Sequence, residues 1–167
     1  MLKVGFIGAG GRAQDAHYPT VYRMDGVSVQ AVCELDTDKL QKVSNKYNIP
    51  RTFSDHRTML EQVDLDVVYC IMHEKWLLQP VLDCLNAGKH VMTEKPPSRN
   101  SNETEKMLEA AISNDLYFMT AFQRRFSAVT QEAVRLASEH SEPTHVIGTF
   151  NKCMVDYPKS SLEGGRG

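Results

Sequence analysis

Two short blocks of this 167-residue chain hold residue types that could do chemistry. The first, Gly8-Ala9-Gly10-Gly11-Arg12-Ala13, follows the apolar run Val4-Gly5-Phe6-Ile7 and reads as G-x-G-x-x-A at a strand-to-helix junction. Such a block is suited to a pyrophosphate. Gly8 makes the tight turn, Gly10 lets the backbone approach the phosphates, and the small Ala13 lets the next helix pack on the first strand while its N-terminal N–H groups face the anion. The second block, Glu94-Lys95-Pro96-Pro97, directly follows the short run His90-Val91-Met92-Thr93. A Glu-Lys pair held between a strand and two prolines is stiff, which suits a residue that must be aimed.

Between these blocks, Val27–Cys33 alternates and is rich in β-branched residues, so it reads as a strand ending at Glu34. Glu34 lies 26 residues beyond Gly8, near the place about 20 residues on where a carboxylate accepts hydrogen bonds from an adenosine ribose. A carboxylate there repels a 2′-phosphate, which favours NAD over NADP. Asp36 and Asp38 compete for the role, and at least one of them is expected only to cap the following helix. Two readings stand for Lys95. It hydrogen-bonds a substrate hydroxyl, with partial burial lowering its pKa toward a useful value, or it is a surface lysine paired with Glu94.

These residues need a scaffold that delivers them to one edge. Strands and helices alternate with short connections from Leu2 to about Phe122, the pattern of a parallel sheet covered on both faces. The first helix is expected over Gly10–Met24 with a kink at Pro19. A second, Thr37–Tyr47, puts Leu40, Val43 and Tyr47 on one face and stops at Asn48 and Pro50. Thr52-Phe53 reads as a short strand, and a helix around Asp55–Val63 buries Met59, Leu60 and Val63. The run Asp66–Met72 is apolar after its first residue, as a central strand should be. Leu77, Leu78, Val81, Leu82 and Leu85 have helical spacing ending at Gly88. Asn100-x-x-Glu103 resembles a capping box for a helix carrying Met107, Leu108, Ala111 and Ile112. Tyr117–Phe122 is a sixth strand. After it the pattern changes: Ser127–Ser138 reads as an amphipathic helix, Thr144–Lys152 as a strand opening a second sheet, and Ser160–Gly167 as a disordered tail.

Composition narrows the function further. A net charge of −2 and no Lys/Arg run give no electrostatic case for nucleic acid or a membrane surface. No apolar stretch approaches 18 residues, and the N-terminus enters a strand without the pattern of a signal peptide, so a cytoplasmic protein is expected. The four cysteines, Cys33, Cys70, Cys84 and Cys153, lack C-x-x-C spacing; they are expected to be reduced core residues, and no metal site is expected.

Together, Gly8–Ala13, the acidic end of the second strand at Glu34, Ala87-Gly88-Lys89-His90-Val91 and Glu94-Lys95-Pro96 resemble the nucleotide-binding half of the Gfo/Idh/MocA oxidoreductases, the glucose–fructose oxidoreductase and inositol dehydrogenase group, from about Leu2 to Phe126. The resemblance implies an α/β fold with a Rossmann-type doubly wound parallel sheet over residues 1–126. Residues 127–167 would then be a linker helix and the first strand of an incomplete α+β substrate domain. It implies hydride transfer between NAD(H), NADP being the less favoured cofactor, and a sugar, polyol or related hydroxyl or carbonyl substrate. Lys95 would be the catalytic residue beside the nicotinamide, with Gly8, Ala9, Gly10, Gly11, Arg12, Ala13, Glu34, Met72, His73, Glu94, Lys95, Gln123 and Arg124 around the cofactor.

There are departures. Where relatives often carry Pro after the fourth strand and His four residues later, this chain has His73 and Leu77. His73 either lines the pocket near the nicotinamide ribose or is a helix N-terminal residue without chemistry, and His17 reads as structural. The family's second domain supplies an Asp/His pair to proton transfer, so this stretch alone is not expected to turn over, and a homo-oligomer is expected only of a full-length form. Two rival functions stand beside the dehydrogenase: a glycoside hydrolase working through transient oxidation by tightly held NAD, and a non-catalytic NAD-binding fragment.

Overall fold

The computed structural model describes residues 1–139, 145 and 147–149. Six strands, β1 (Leu2–Ile7), β2 (Val27–Cys33), β3 (Arg51–Phe53), β4 (Val67–Cys70), β5 (His90–Thr93) and β6 (Phe118–Thr120), form one sheet in the order β3-β2-β1-β4-β5-β6. Every neighbouring pair is parallel. The order reverses between β1 and β4, and in open α/β sheets a crevice forms beyond the carboxyl ends of the strands at that reversal.

Alternation along each strand gives the sheet two apolar faces. Val4, Phe6, Val32 and Tyr69 pack against Tyr18, Val21, Val43 and Tyr47 from α1 (Tyr18–Val21) and α2 (Thr37–Tyr47). Ile7, Ala31, Cys33, Val68 and Cys70 pack on the other side against Met59, Val81, Leu85 and Met107 from α3 (His56–Gln62), α4 (Leu78–Asn86) and α5 (Ser101–Ser113). On the first face Phe6 stacks on Tyr18 at 4.1 Å and on Tyr69 at 5.0 Å between ring centres, and Tyr18 stacks on Tyr47 at 5.4 Å. Such pairs add about 0.5–1.5 kcal/mol each beyond area burial.

The helix ends follow their residue types. Asp36 Oδ1 accepts from Asp38 N and Lys39 N, and Asn48 ends α2 at φ 49°. Asn100 accepts from Glu103 N at 3.0 Å, but Glu103 reaches back to Arg99 instead of to the cap residue, so only half of the capping box forms. Leu108 and Ile112 of α5 are exposed, so only Met107 and Ala111 of the four apolar residues expected there reach the core.

The first helix differs most from expectation. It runs over 11–21 instead of to Met24, and its middle, Ala13–His17, is a π-helical turn closed by Tyr18 N–H to Ala13 O. Pro19 has no N–H to continue the ladder. The chain meets that loss by widening the turn just upstream, where a simple kink was expected.

Contacts divide the chain into two units, Met1–Gln123 and Arg124–Gly167. In the second, α6 (Ala128–Ser138) is capped by the Ser127 hydroxyl, which accepts from Thr130 N at 3.2 Å. The strand expected over Thr144–Lys152 and the tail from Ser160 lie outside the described residues, apart from residues 145 and 147–149, which are in no regular element.

Candidate functional site

The glycine turn is shaped by what a side chain would strike. Gly8 has φ +107°, and a Cβ there would lie 2.2 Å from the carbonyl oxygen of Ile71 at the end of β4. Only glycine fits. Cβ atoms at Gly10 or Gly11 would meet nothing within 4 Å, so the space above the turn is open. The loop's carbonyls are already engaged: Tyr18 Oη donates to Gly8 O at 3.0 Å and Gln14 Nε2 to Ala9 O at 2.7 Å. Burial pushes the Tyr18 phenol well up, which keeps it a neutral donor. With these oxygens held by the helix, the turn presents N–H groups and a helix N-terminus to whatever enters, the arrangement an anion favours.

Glu34, half-buried at the end of β2, reaches across to this turn. Its Oε2 accepts from Ala9 N at 2.7 Å and its Oε1 from Asp36 N at 3.1 Å. Each oxygen keeps a further lone pair for a ribose hydroxyl. Asp36 caps α2 and is thereby separated from Glu34 in role. Beside them opens a cleft of about 540 Å³ lined by Ile7, Gly8, Cys33, Glu34, Leu35, His56, Met72, Trp76 and Pro80 among others. Its walls are mostly apolar, with Glu34, Ser54, Asp55, His56 and Gln79 as the polar residues among them. Burial pushes the Cys33 thiol up to about 12, so it lines the cleft as a neutral apolar group.

On the other side of β1, Glu94 points inward and is almost covered, its side chain 9% exposed. Its Oε1 accepts from Arg12 Nε at 2.6 Å and His17 Nε2 at 2.8 Å, and its Oε2 from Lys95 N at 3.2 Å. A carboxylate only accepts, so His17 carries its hydrogen on Nε2. Burial raises the Glu94 pKa, but the hydrogen bonds from His17, Arg12 and the Lys95 amide outweigh it and leave the group below its ordinary range. Arg12 and His17 are five residues apart. In an α-helix neighbours on one face are three or four apart, and the π turn is what lets this pair converge on one oxygen.

The pairing of Lys95 with Glu94 is therefore not formed; the carboxylate belongs to Arg12 and His17. Lys95 is exposed, so the partial burial expected of it is not found: because Glu94 turns inward at the end of β5, its successor turns out. Among the described residues its ammonium makes no ion pair. The Lys95–Pro96 peptide is cis.

Gly8 to Ala13, Glu34, Met72, Glu94 and Lys95 thus share one sheet edge, stitched by Ala9–Glu34, Arg12–Glu94 and the close approach of Gly8 to Ile71. Ala13 is fully buried beneath the turn. His73 is exposed and caps the short 3₁₀ turn Glu74–Trp76, its Nδ1 facing Lys75 N at 3.4 Å. Gln123 and Arg124 lie in the 3₁₀ turn Gln123–Phe126, Gln123 closing the first unit and Arg124 opening the second. The sequence reading named His17 only as structural and passed over Trp76. His17 was legible only through its five-residue spacing from Arg12 together with Pro19; Trp76 is the chain's one tryptophan, in a polar setting just past a central strand.

Comparison with known proteins agrees with this geometry. Residues 2–122 match the model of the oxidoreductase family with an NAD-binding Rossmann fold. The chain is 27% identical over 125 residues to a myo-inositol 2-dehydrogenase of Thermotoga maritima, covering 75% of the chain and 37% of that protein. It is 32% identical over 134 residues to a trans-1,2-dihydrobenzene-1,2-diol dehydrogenase of Danio rerio, covering 79% and 40%. Among solved structures, scyllo-inositol dehydrogenase from Lactobacillus casei with bound NAD(H) and scyllo-inositol superposes with a TM-score of 0.77 at 26% identity, over 83% of this chain and 41% of that one. The chain therefore spans well under half the length of these relatives.

Proposed function

Because the chain belongs to the oxidoreductase family with an NAD-binding Rossmann fold, we propose that it holds NAD across this sheet edge and serves oxidation or reduction at a hydroxyl-bearing carbon of a sugar, polyol or related diol. One observation carries the reading: open space above Gly10, between a carboxylate at the end of β2 and a lysine at the end of β5. The residues present fit the cofactor. The amides of the turn around Gly10 and Gly11 would hold the bridging phosphates, Glu34 would take the adenosine ribose hydroxyls, and the mostly apolar cleft would take the adenosine half. The negative charge of Glu34 disfavours a 2′-phosphate, which supports NAD over NADP.

When bound, the nicotinamide supplies the hydride acceptor. Lys95 would donate a hydrogen bond from its ammonium to the substrate oxygen and so position the hydroxyl, whose proton passes to water or to a group of the substrate part as the hydride leaves, while Glu94, fixed by Arg12 and His17, anchors the Lys95 backbone through its amide. Arg12 thus acts through Glu94. Met72 borders the cleft and His73 begins the turn behind it; Gln123 and Arg124 stay in the proposal on the family resemblance alone. In the same reading residues 1–126 are the nucleotide-binding part, and the chain from 127 on opens the substrate part. A homo-oligomeric full-length form, a cytoplasmic location, which the free buried thiols of Cys33, Cys70 and Cys84 support, and no role for nucleic acid complete it.

Calorimetric titration with NAD, NADH and NADP tests the binding. NAD is expected to bind at least tenfold more tightly than NADP, and Lys95→Ala to leave that affinity within about threefold. Folded protein giving no heat with either NAD or NADH refutes the reading. NADH formation with a panel of inositols, glucosides and diols, measured on a form that carries the substrate part and lost there in Lys95→Ala, tests the reaction.

A further inference from the structure

Trp76 is 62% exposed, although nothing in the packing of the sheet needs a large ring there. Its backbone is fixed: its N–H donates to His73 O at 2.9 Å, and the next residue, Leu77, is fully buried. Its ring lines the cleft together with Leu35, itself 83% exposed. Leu35 follows β2 and Trp76 follows β4, the two strands that flank β1. Two exposed apolar side chains therefore rise on either side of the glycine turn and wall one slot. Lys75 Nζ lies 4.7 Å from the Trp76 ring centre, a cation–π contact that steadies the indole. An exposed, steadied aromatic ring in an apolar slot is a stacking platform, and its natural occupant is a flat heteroaromatic ring.

We infer that Trp76 stacks on the adenine of the dinucleotide and is a main affinity determinant of that half of the site; the inference rests on the NAD-binding reading above. Adenine and not nicotinamide is the occupant because the slot lies toward β2, with Glu34 and His56 on its wall and no residue of β5 or β6 among its lining, whereas Lys95 stands at the end of β5. Glu34, which also lines the slot, would then meet the ribose that the base carries.

The single tryptophan makes the test direct. Emission excited at 295 nm is expected to change saturably with AMP and with NAD but not with nicotinamide mononucleotide, and adenine H2 or H8 should show NOEs to the indole protons. Trp76→Ala, at an exposed position, should keep its circular dichroism and bind NAD about 5- to 10-fold more weakly by calorimetry, while Trp76→Phe recovers to within about threefold of the parent. NAD binding with unchanged tryptophan emission and no NOE, or with equal affinity in Trp76→Ala, overturns the inference and leaves the NAD reading intact. No heat with NAD from the folded parent overturns both.

Discussion

Glu94→Gln separates a Glu94 that organises the site from one that merely fills space. The substitution keeps the volume of a side chain that is 9% exposed and removes its charge. Glu94 accepts from Arg12 at 2.6 Å and from His17 at 2.8 Å on one oxygen, and from the Lys95 amide on the other. Hydrogen bonds to a charged group contribute about 1.5–3 kcal/mol and neutral ones about 0.5–1.5, so losing the charge removes about 1 kcal/mol from each of the two side-chain bonds. The Arg12 share is smaller, because that side chain is half exposed and screened. The expected loss at pH 7 is about 1.5 kcal/mol, or roughly 4 °C in Tm for a chain of this size.

Thermal unfolding followed by circular dichroism reads this loss, and pH tells its cause. Glu94 titrates below its ordinary value of 4.5 in the folded protein, so its contribution is present above 4.5 and is lost as pH falls through the folded value. The gap between parent and Glu94→Gln should thus hold from pH 7 to about 5 and narrow as pH falls through 4.5 toward the lower folded value, below which the parent itself is protonated. The groups facing Glu94 are Arg12, His17 and the Lys95 amide, and His17→Asn combined with Glu94→Gln should cost less than the sum of the two by about 1 kcal/mol. A variant unfolding within 1 °C of the parent at pH 7, or a gap unchanged down to pH 3.5, refutes the reasoning.

Three further substitutions give expectations of their own. Gly8→Ala forces a methyl to 2.2 Å from Ile71 O at a backbone angle that favours glycine, so it should destabilise by more than about 3 kcal/mol in urea unfolding. Gly10→Ala should leave Tm within about 2 °C, since its methyl meets nothing, yet weaken NAD binding at least tenfold in the calorimeter by filling the space the phosphates need. Asp83 joins α3 to α4, accepting from His56 at 2.8 Å, Arg57 at 2.9 Å and Gln79 at 2.7 Å, with its side chain 18% exposed. Burial raises its pKa, and these hydrogen bonds outweigh that and lower it. Asp83→Asn should cost about 1–2 kcal/mol by thermal unfolding at pH 7.

The fold was legible because each element carried its own local cause. Val27–Cys33 and His90–Thr93 form as strands over the residues read from their β-branched and apolar runs, and α2 starts at its Asp36 cap and ends at Asn48. Gly8 and Glu34 were legible for a similar reason: a turn that tolerates only glycine and a carboxylate a set distance beyond it are one-dimensional signals. Exposure was not. Leu108 and Ile112 have the spacing of a buried face, and only the third dimension shows that α5 turns Met107 and Ala111 to the sheet instead. The burial expected of Lys95 failed in the same way, since which of two adjacent residues turns inward depends on what waits inside. What waits is Arg12 and His17, about 80 residues earlier in the chain.

That long-range pair also shows why a local rule fails where it does. A regular helix through Pro19 leaves one carbonyl without its donor and sets four residues to a neighbouring pair; the π turn takes up one more residue and sets Arg12 and His17 on the same oxygen of Glu94. The helix that begins at the glycine turn is thereby tied to the loop that carries Lys95, across the switch point of the sheet. Two ends of one extended ligand would be gripped by parts of the chain that share a buried carboxylate, so a change at Glu94 should register at the glycine turn as well as at Lys95. Departures from regular geometry concentrate where separate strands must be brought to one edge: the positive φ of Gly8 and the widened turn after Ala13 both occur within ten residues of each other.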